Sequence, residues 1–307
     1  MGYTITGNTQ GRISTNDEFR TWGSWISNAF ANAGLVQTAD TGQIDWSTVT
    51  NPTAVSTSQG YEIWRFNDAL QNSAPVFLRF DYGSAAAGNT IPGLRWALGS
   101  GANGSGSITG FPCRDRSLAS GNAFTMLEQT AAFANSTLVS YFSGDTGRFV
   151  LALNTRGTGS LGGYGMLLSM ERTVDYNGAV TSDGVMVTYE SGVGARLGQA
   201  LWSPVVGTWM HESVLDDGLC MLTPQQGGGT TGSNTAIYPI FHHKGGGAFL
   251  NPGLNLFGYF HSEITAASAN SFFVYGFTHT YMPLGNTCIY AITPRGNNSV
   301  TLLMRYE

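Results

Sequence analysis

The side chains with most chemical reach in this chain are few and lie far apart. His242 and His243, followed by Lys244 and the glycines Gly245 to Gly247, form the densest polar run. Such a run could ligate a metal or meet an acidic partner. Neighbouring residues of a strand point to opposite faces, however, so the two imidazoles are not aimed at one ion. The run is read as an exposed loop rim. His211-Glu212 opens like the zinc-hydrolase pattern His-Glu-x-x-His, but Leu215 stands where the second histidine is required. One histidine does not hold zinc. Asp175-Tyr176-Asn177-Gly178 opens like a calcium loop, and Met186 occupies the position of its bidentate glutamate. Asp216-Asp217-Gly218 reads as a turn. Glu171, Glu190 and Glu263 could supply the acid and nucleophile of a glycosidase only if folding brought two of them within a few ångströms.

Nucleotide chemistry fares no better. Gly99 to Gly104 and Gly157 to Gly162 both match Gly-x-Gly-x-x-Gly. A dinucleotide site needs those glycines to open a helix after a strand, with an acidic residue about 20 positions on. Neither stretch has that setting, and with 42 glycines in 307 positions chance alone supplies about 0.8 matches. There is no Gly-x-Ser-x-Gly elbow, and Lys244 lacks the glycine frame of a phosphate loop. Cys113, Cys220 and Cys288 are an odd, scattered trio that fits buried free thiols better than a disulfide framework or a zinc site. The expectation is therefore no catalytic, cofactor-binding or metal-ligating residue, and no cofactor.

Composition narrows the classes further. Only 11 % of residues are charged, against about 25 % in ordinary soluble domains. Hydrophobic residues at 42 % and aromatic residues at 12 % exclude a disordered chain. A net charge of −5 excludes a basic nucleic-acid footprint. No 18-residue apolar run exists, so no membrane span is expected. The start of the chain has neither the basic region nor the apolar run of a secretory leader, and synthesis and folding in the cytoplasm are expected.

The elements that would position these residues are mostly β. Thr15-Asn16-Asp17-Glu18 fits a capping box, Phe19, Trp22, Ile26, Phe30 and Ala33 recur at helical spacing, and Gly34 supplies the stop. That spacing predicts one amphipathic helix whose stripe packs on a sheet. Strand patterns follow at 61–66, 75–82, 94–98, 148–154, 164–173, 185–190, 272–277, 287–292 and 300–306. In the second of these, Val76, Leu78, Phe80 and Tyr82 face one way while Arg79 and Asp81 face the other. Asn177-Gly178 and Asp183-Gly184 carry tight-turn chemistry. The glycine-serine stretch Gly99 to Gly110 reads as a loop too flexible to be an element, and Pro224 to Asn234 as a second loop. The fold class expected is mainly β, a sandwich or barrel-like arrangement with a short N-terminal helix packed on a sheet. A division into an α+β segment, 1–115, and a β-rich segment, 116–307, is expected.

The N-terminal third resembles a known type of protein. Phe19-Arg-Thr-Trp-Gly23, Ala33-Gly-Leu-Val-Gln-Thr-Ala-Asp-Thr-Gly-Gln-Ile-Asp45, Gly60-Tyr-Glu-Ile-Trp-Arg-Phe66, Ala74-Pro-Val-Phe-Leu-Arg-Phe-Asp-Tyr-Gly83 and the glycine-rich Gly99 to Gly110 carry the likeness. The pattern is similar to virion structural proteins of tailed bacteriophages, and His279 to Gly285 with Thr301 to Glu307 resemble the same type less specifically. The resemblance brings no catalytic residues. It implies a non-enzymatic place in the virion (tail tip or baseplate, collar, or capsid exterior), with other virion proteins and copies of the same chain as partners. Two other readings stay open: a tail protein that recognises host-surface carbohydrate through exposed Trp and Tyr, and a glycan hydrolase. Ile264 to Pro294, 31 residues without a formal charge, is the expected contact between copies, with ordinary core as its competing reading.

Overall fold

The computed structural model describes residues 4–10, 13–52, 58–84, 92–110, 113–114, 137–156, 165–174, 177, 179–190, 196–203, 208–212, 219–220, 238–243, 250–259, 270–274, 277–283, 288–290 and 298–305. The chain is mainly β, with antiparallel sheets and a helix near the N-terminus packed against a sheet. Among the described residues no sheet closes into a barrel.

Strand β1 (Thr4–Gln10) leads into helix α1 (Asn16–Ala33). The helix begins where the sequence predicts. The Thr15 side chain accepts the Glu18 backbone N–H, while Glu18 Oε2 accepts the backbone N–H groups of Ser14 at 2.7 Å and Thr15 at 2.9 Å. Those bonds, led by the one from the Ser14 backbone, hold the Glu18 carboxyl below its ordinary value. The helix ends at Gly34, whose φ of 90° is left-handed and suits a residue without Cβ. Phe19, Trp22, Gly23, Ile26, Ala29, Phe30 and Ala33 form its buried face.

A five-stranded sheet follows, in the order β2 (Val36–Gln37), β3 (Ser58–Arg65), β4 (Phe77–Ser84), β5 (Pro92–Gly99) and β8 (Cys113–Arg114). Its inner face carries Trp64, Leu78, Phe80, Tyr82, Leu94, Trp96 and Leu98, all buried. Pairing of Leu78 with Trp64 and Leu98, and of Phe80 with Trp96, sets them side by side. The Gly99 to Gly110 stretch departs from expectation. It folds as a hairpin, β6 (Gly101–Ala102) and β7 (Ile108–Thr109), which lies on the outer face of that sheet. Ile108 joins Ile63 and Ala97 there in a small second core, an anchor far away in sequence that local composition does not reveal.

The middle of the chain forms β9 (Thr137–Asp145), β10 (Arg148–Arg156), β11 (Gly165–Val174), β12 (Val180–Glu190), β13 (Arg196–Ser203) and β14 (Thr208–Glu212). They pair consecutively, and β1 adds to β9 to complete a seven-stranded sheet. Asp183-Gly184 is not a turn: Gly184 lies inside β12, paired with Arg172 and Trp202. The third sheet runs β15 (Leu219–Cys220), β16 (Tyr238–His243), β17 (Leu250–Tyr259), β21 (Asn298–Arg305), β19 (Phe277–Pro283) and β18 (Asn270–Val274), with β20 (Cys288–Tyr290) on β21. The run expected as one strand at 272–277 thus spans the end of β18 and the start of β19. The loop expected at Pro224 to Asn234 lies outside the described residues.

One hydrophobic cluster ties the first two sheets to the helix. Phe30 stands at its centre. It stacks on Phe80 of the five-stranded sheet at 5.3 Å and meets Phe142 and Phe149 of the seven-stranded sheet edge-on at 5.4 and 5.0 Å. These are favoured aromatic geometries, each contributing about 0.5–1.5 kcal/mol beyond area burial. The cluster draws on residues 13–98 and on residues 142–170 alike, so it crosses the expected division at 115/116.

Candidate functional site

Three polar centres stand out among the described residues, each buried or half-buried and each joining separate elements. The first surrounds Glu62 of β3, which alternation puts on the same face as Trp64. Glu62 is 1 % exposed. Oε1 accepts the indole N–H of Trp46 at 2.9 Å, and Oε2 accepts the Trp64 indole at 3.2 Å and the Tyr82 hydroxyl at 2.7 Å. A buried carboxylate without donors would be very costly, and here three donors converge on it. Burial first, then the Glu62 charge and hydrogen bond, push the Tyr82 phenol well above its ordinary value. The rings form a continuous wall: Trp46 meets Tyr82 edge-on at 4.7 Å and Phe19 at 5.7 Å. Gly23 of α1 completes it, because a Cβ there would fall inside the Trp46 indole.

The second centre holds the β6–β7 hairpin by one residue. Gly106 donates its N–H to Asp40 Oδ1 at 3.1 Å, and its carbonyl accepts from Arg79 Nη1 at 2.5 Å. Arg79 also forks onto Asp81, Nε to Oδ2 at 3.0 Å and Nη2 to Oδ1 at 2.5 Å, and its guanidinium lies 4.2 Å from the centre of the Tyr61 ring. The Tyr61 hydroxyl in turn donates to the Thr41 carbonyl. Arg79 and Asp81 face the side opposite Leu78, Phe80 and Tyr82, as expected, and Asp81 is buried there beneath the hairpin.

The third centre joins distant parts of the chain. Arg172 of β11, 2 % exposed, forks onto Asp68 of the β3–β4 connection, with Nε to Oδ2 at 2.5 Å and Nη2 to Oδ1 at 3.0 Å. It also donates to the Ser182 carbonyl at 3.3 Å. Gly147, in the β9–β10 turn, lets Asp68 approach, since a Cβ there would meet Asp68 Oδ2 at 2.8 Å. Beside it the Asn67 N–H donates to the Thr146 carbonyl at 2.8 Å.

Comparison with protein-family models, curated proteins and solved structures finds no match to this chain. Its chemistry is therefore argued from geometry. In each centre a carboxylate accepts a donor from another element, Glu62 from Trp46 and Tyr82, Asp40 from Gly106 and Asp68 from Arg172, an arrangement that fixes walls, a hairpin and a joint between sheets. Among the described residues no group of three or more His, Cys, Asp and Glu side chains could hold a metal ion. No helix there is long and apolar enough to cross a membrane.

The residues singled out in the sequence are dispersed. His211 and Glu212 lie in β14, paired with Ala200 and Gln199, and His242 and His243 lie in β16. Glu171 pairs with Val185, five positions along β12 from Glu190. That register sets them roughly 17 Å apart along the strand, beyond the roughly 5–9.5 Å of a glycosidase pair. They are not a glycosidase pair. Cys113, Cys220 and Cys288 fall in β8, β15 and β20. Gly157 to Gly162, Asp175, Asp216, Asp217, Lys244 and Glu263 lie outside the described residues, as does much of Ile264 to Pro294. Sequence reasoning missed Glu62, Asp68 and Arg172. Only Glu62 carried a local signal, since it shares its strand face with Trp64 and so is set toward the core.

Proposed function

We propose that this chain is a non-enzymatic structural component of a tailed-phage virion, made in the host bacterial cytoplasm and acting by assembly with copies of itself and with other virion proteins. The observation that carries this reading is the use of the buried charge. Glu62 and Asp40, both buried, and the half-buried Asp68 each accept donors that tie one element to another. A catalytic carboxylate must instead stay within reach of a substrate. The resemblance of residues 19–110 supplies the phage setting. The sparse charge, 11 % of residues, supports assembly, because a surface so thinly charged is better suited to being covered than to full solvation. Among the described residues, Trp22, Trp64 and Trp96 are buried in the core, while Trp25 and Trp46 are half-buried against it.

The test is electron microscopy of phage particles labelled with an antibody to this protein, beside assays on the free protein. Labelled particles with inert free protein are expected. Protection of cells from infection by the free protein would replace the reading with receptor binding. Shortening of an oligosaccharide would replace it with glycan hydrolysis, and unlabelled particles would overturn it.

A further inference from the structure

We propose that Asn103, at the tip of the β6–β7 hairpin, is a site of spontaneous deamidation, and that the isoaspartate formed there releases the hairpin from the residues that clamp it. The inference stands apart from the assembly reading, because it needs only this chain and water. Asparagine is among the thermolabile residues. It is most labile before glycine, whose backbone nitrogen no side chain shields. Asn103-Gly104 is such a pair, and both residues are exposed.

The fold presents the pair for reaction. Asn103 Oδ1 accepts the backbone N–H groups of Ser105 and Ser107, each at 2.9 Å. Two donors on one carbonyl oxygen stabilise the negative charge it takes up when Cγ is attacked. The attacking atom is the Gly104 backbone nitrogen. Gly104 has a φ of 80°, and a Cβ built on it would meet no atom within 4 Å, so its surroundings are open. The step balances with water alone. The Gly104 nitrogen gives its proton to base in the solvent and bonds to Asn103 Cγ. The Cγ–Nδ2 bond breaks, ammonia leaves, and a succinimide closes. Water then cleaves one of the two ring C–N bonds. Cleavage at Cγ gives aspartate, and cleavage at the main-chain carbonyl gives isoaspartate, in which the main chain runs through Cβ and Cγ.

The consequence lies in what the tip holds. The Asn103 N–H donates to the Ser107 carbonyl at 3.0 Å, and the Gly104 carbonyl accepts from Thr41 N–H at 2.9 Å and Oγ1 at 3.2 Å. Two residues on, Gly106 is held between Asp40 at 3.1 Å and Arg79 at 2.5 Å. Isoaspartate inserts one carbon atom into the main chain between Asn103 N and Gly104, so these contacts fall out of step. Aspartate leaves the main chain unchanged and keeps an acceptor oxygen for Ser105 and Ser107, so it leaves the hairpin in place.

The experiment keeps the full chain at mildly acidic and at mildly alkaline pH. Peptide mass spectrometry, labelling by an isoaspartyl methyltransferase and hydrogen exchange at the hairpin amides follow it with time. The Asn103 peptide is expected to change from amide to acid and to take the methyl label, faster at alkaline pH because the attacking nitrogen must lose a proton. In the converted protein the hairpin amides are expected to exchange faster than in fresh protein. Asn103→Gln, whose longer side chain closes its ring far less readily, is expected to keep its amide. Freshly purified Asn103→Asp is expected to exchange as slowly as the fresh wild type. A folded chain that keeps the Asn103 amide at alkaline pH overturns the proposal, whether or not the chain in urea loses it. So does isoaspartate-bearing protein whose hairpin exchanges as before. A loosened hairpin in Asn103→Asp would make charge the cause in place of the inserted atom, and overturns the release argued from it.

Discussion

Glu62 shows what a single residue does in this molecule. Three donors reach its carboxylate from Trp46, Trp64 and Tyr82, so it fixes three rings at once and with them the wall against which α1 packs. Glu62→Gln keeps the volume but turns N–H groups toward donors already in place. One buried donor is then left unmatched, at a cost of about 1–3 kcal/mol. Urea denaturation of the two proteins measures it, and superimposable curves would refute the role assigned to the carboxylate.

Helix α1 is the element whose local chemistry and tertiary role coincide. Its N-terminus is closed by Thr15 and Glu18 and its C-terminus by a left-handed Gly34, and between them Phe30 bridges the two sheets. Thr15→Ala removes a cap contributing about 1 kcal/mol. Gly34→Ala forces a side chain into the left-handed region at about 1–2 kcal/mol. The double variant is expected to melt several degrees lower by calorimetry, and an unchanged melting temperature would mean that neither end depends on these residues. The β6–β7 hairpin is the opposite case. Its glycine-serine composition argues for flexibility, yet the N–H and C=O of Gly106 are both held, by Asp40 and Arg79.

For the whole molecule, the decisive fact is that one core serves residues on both sides of position 115. β1 is paired with β9, Phe30 is packed on Phe142 and Phe149, and Asp68 is bonded to Arg172. A fragment of residues 1–115 would lack the partners of all three. It is expected to show no cooperative thermal transition and weak dispersion of its amide resonances, whereas the full chain melts cooperatively through this core. A fragment with sharp, dispersed resonances would mean that the N-terminal segment completes a core by itself.

What the sequence determined by itself is whatever depends on neighbours in the chain. The capping box, the spacing of Phe19, Trp22, Ile26 and Phe30, and the glycine stop define α1 because helix ends and faces are set within a few residues. Alternation likewise marks β4, where Leu78, Phe80 and Tyr82 share one face and Arg79 and Asp81 the other. Tertiary structure alone decided the rest. β1 is a mostly polar strand with no apolar face to announce it, and β9 supplies hydrogen bonds that hold it in the sheet. Arg172 finds Asp68 across 104 positions, a pairing that no local spacing encodes. Gly184 is turn chemistry on its own and a strand interior once β11 and β13 flank it. Hydrogen bonds and buried contacts between remote segments outweigh local preferences of about 1 kcal/mol, and those contacts come into being only when the sheets assemble.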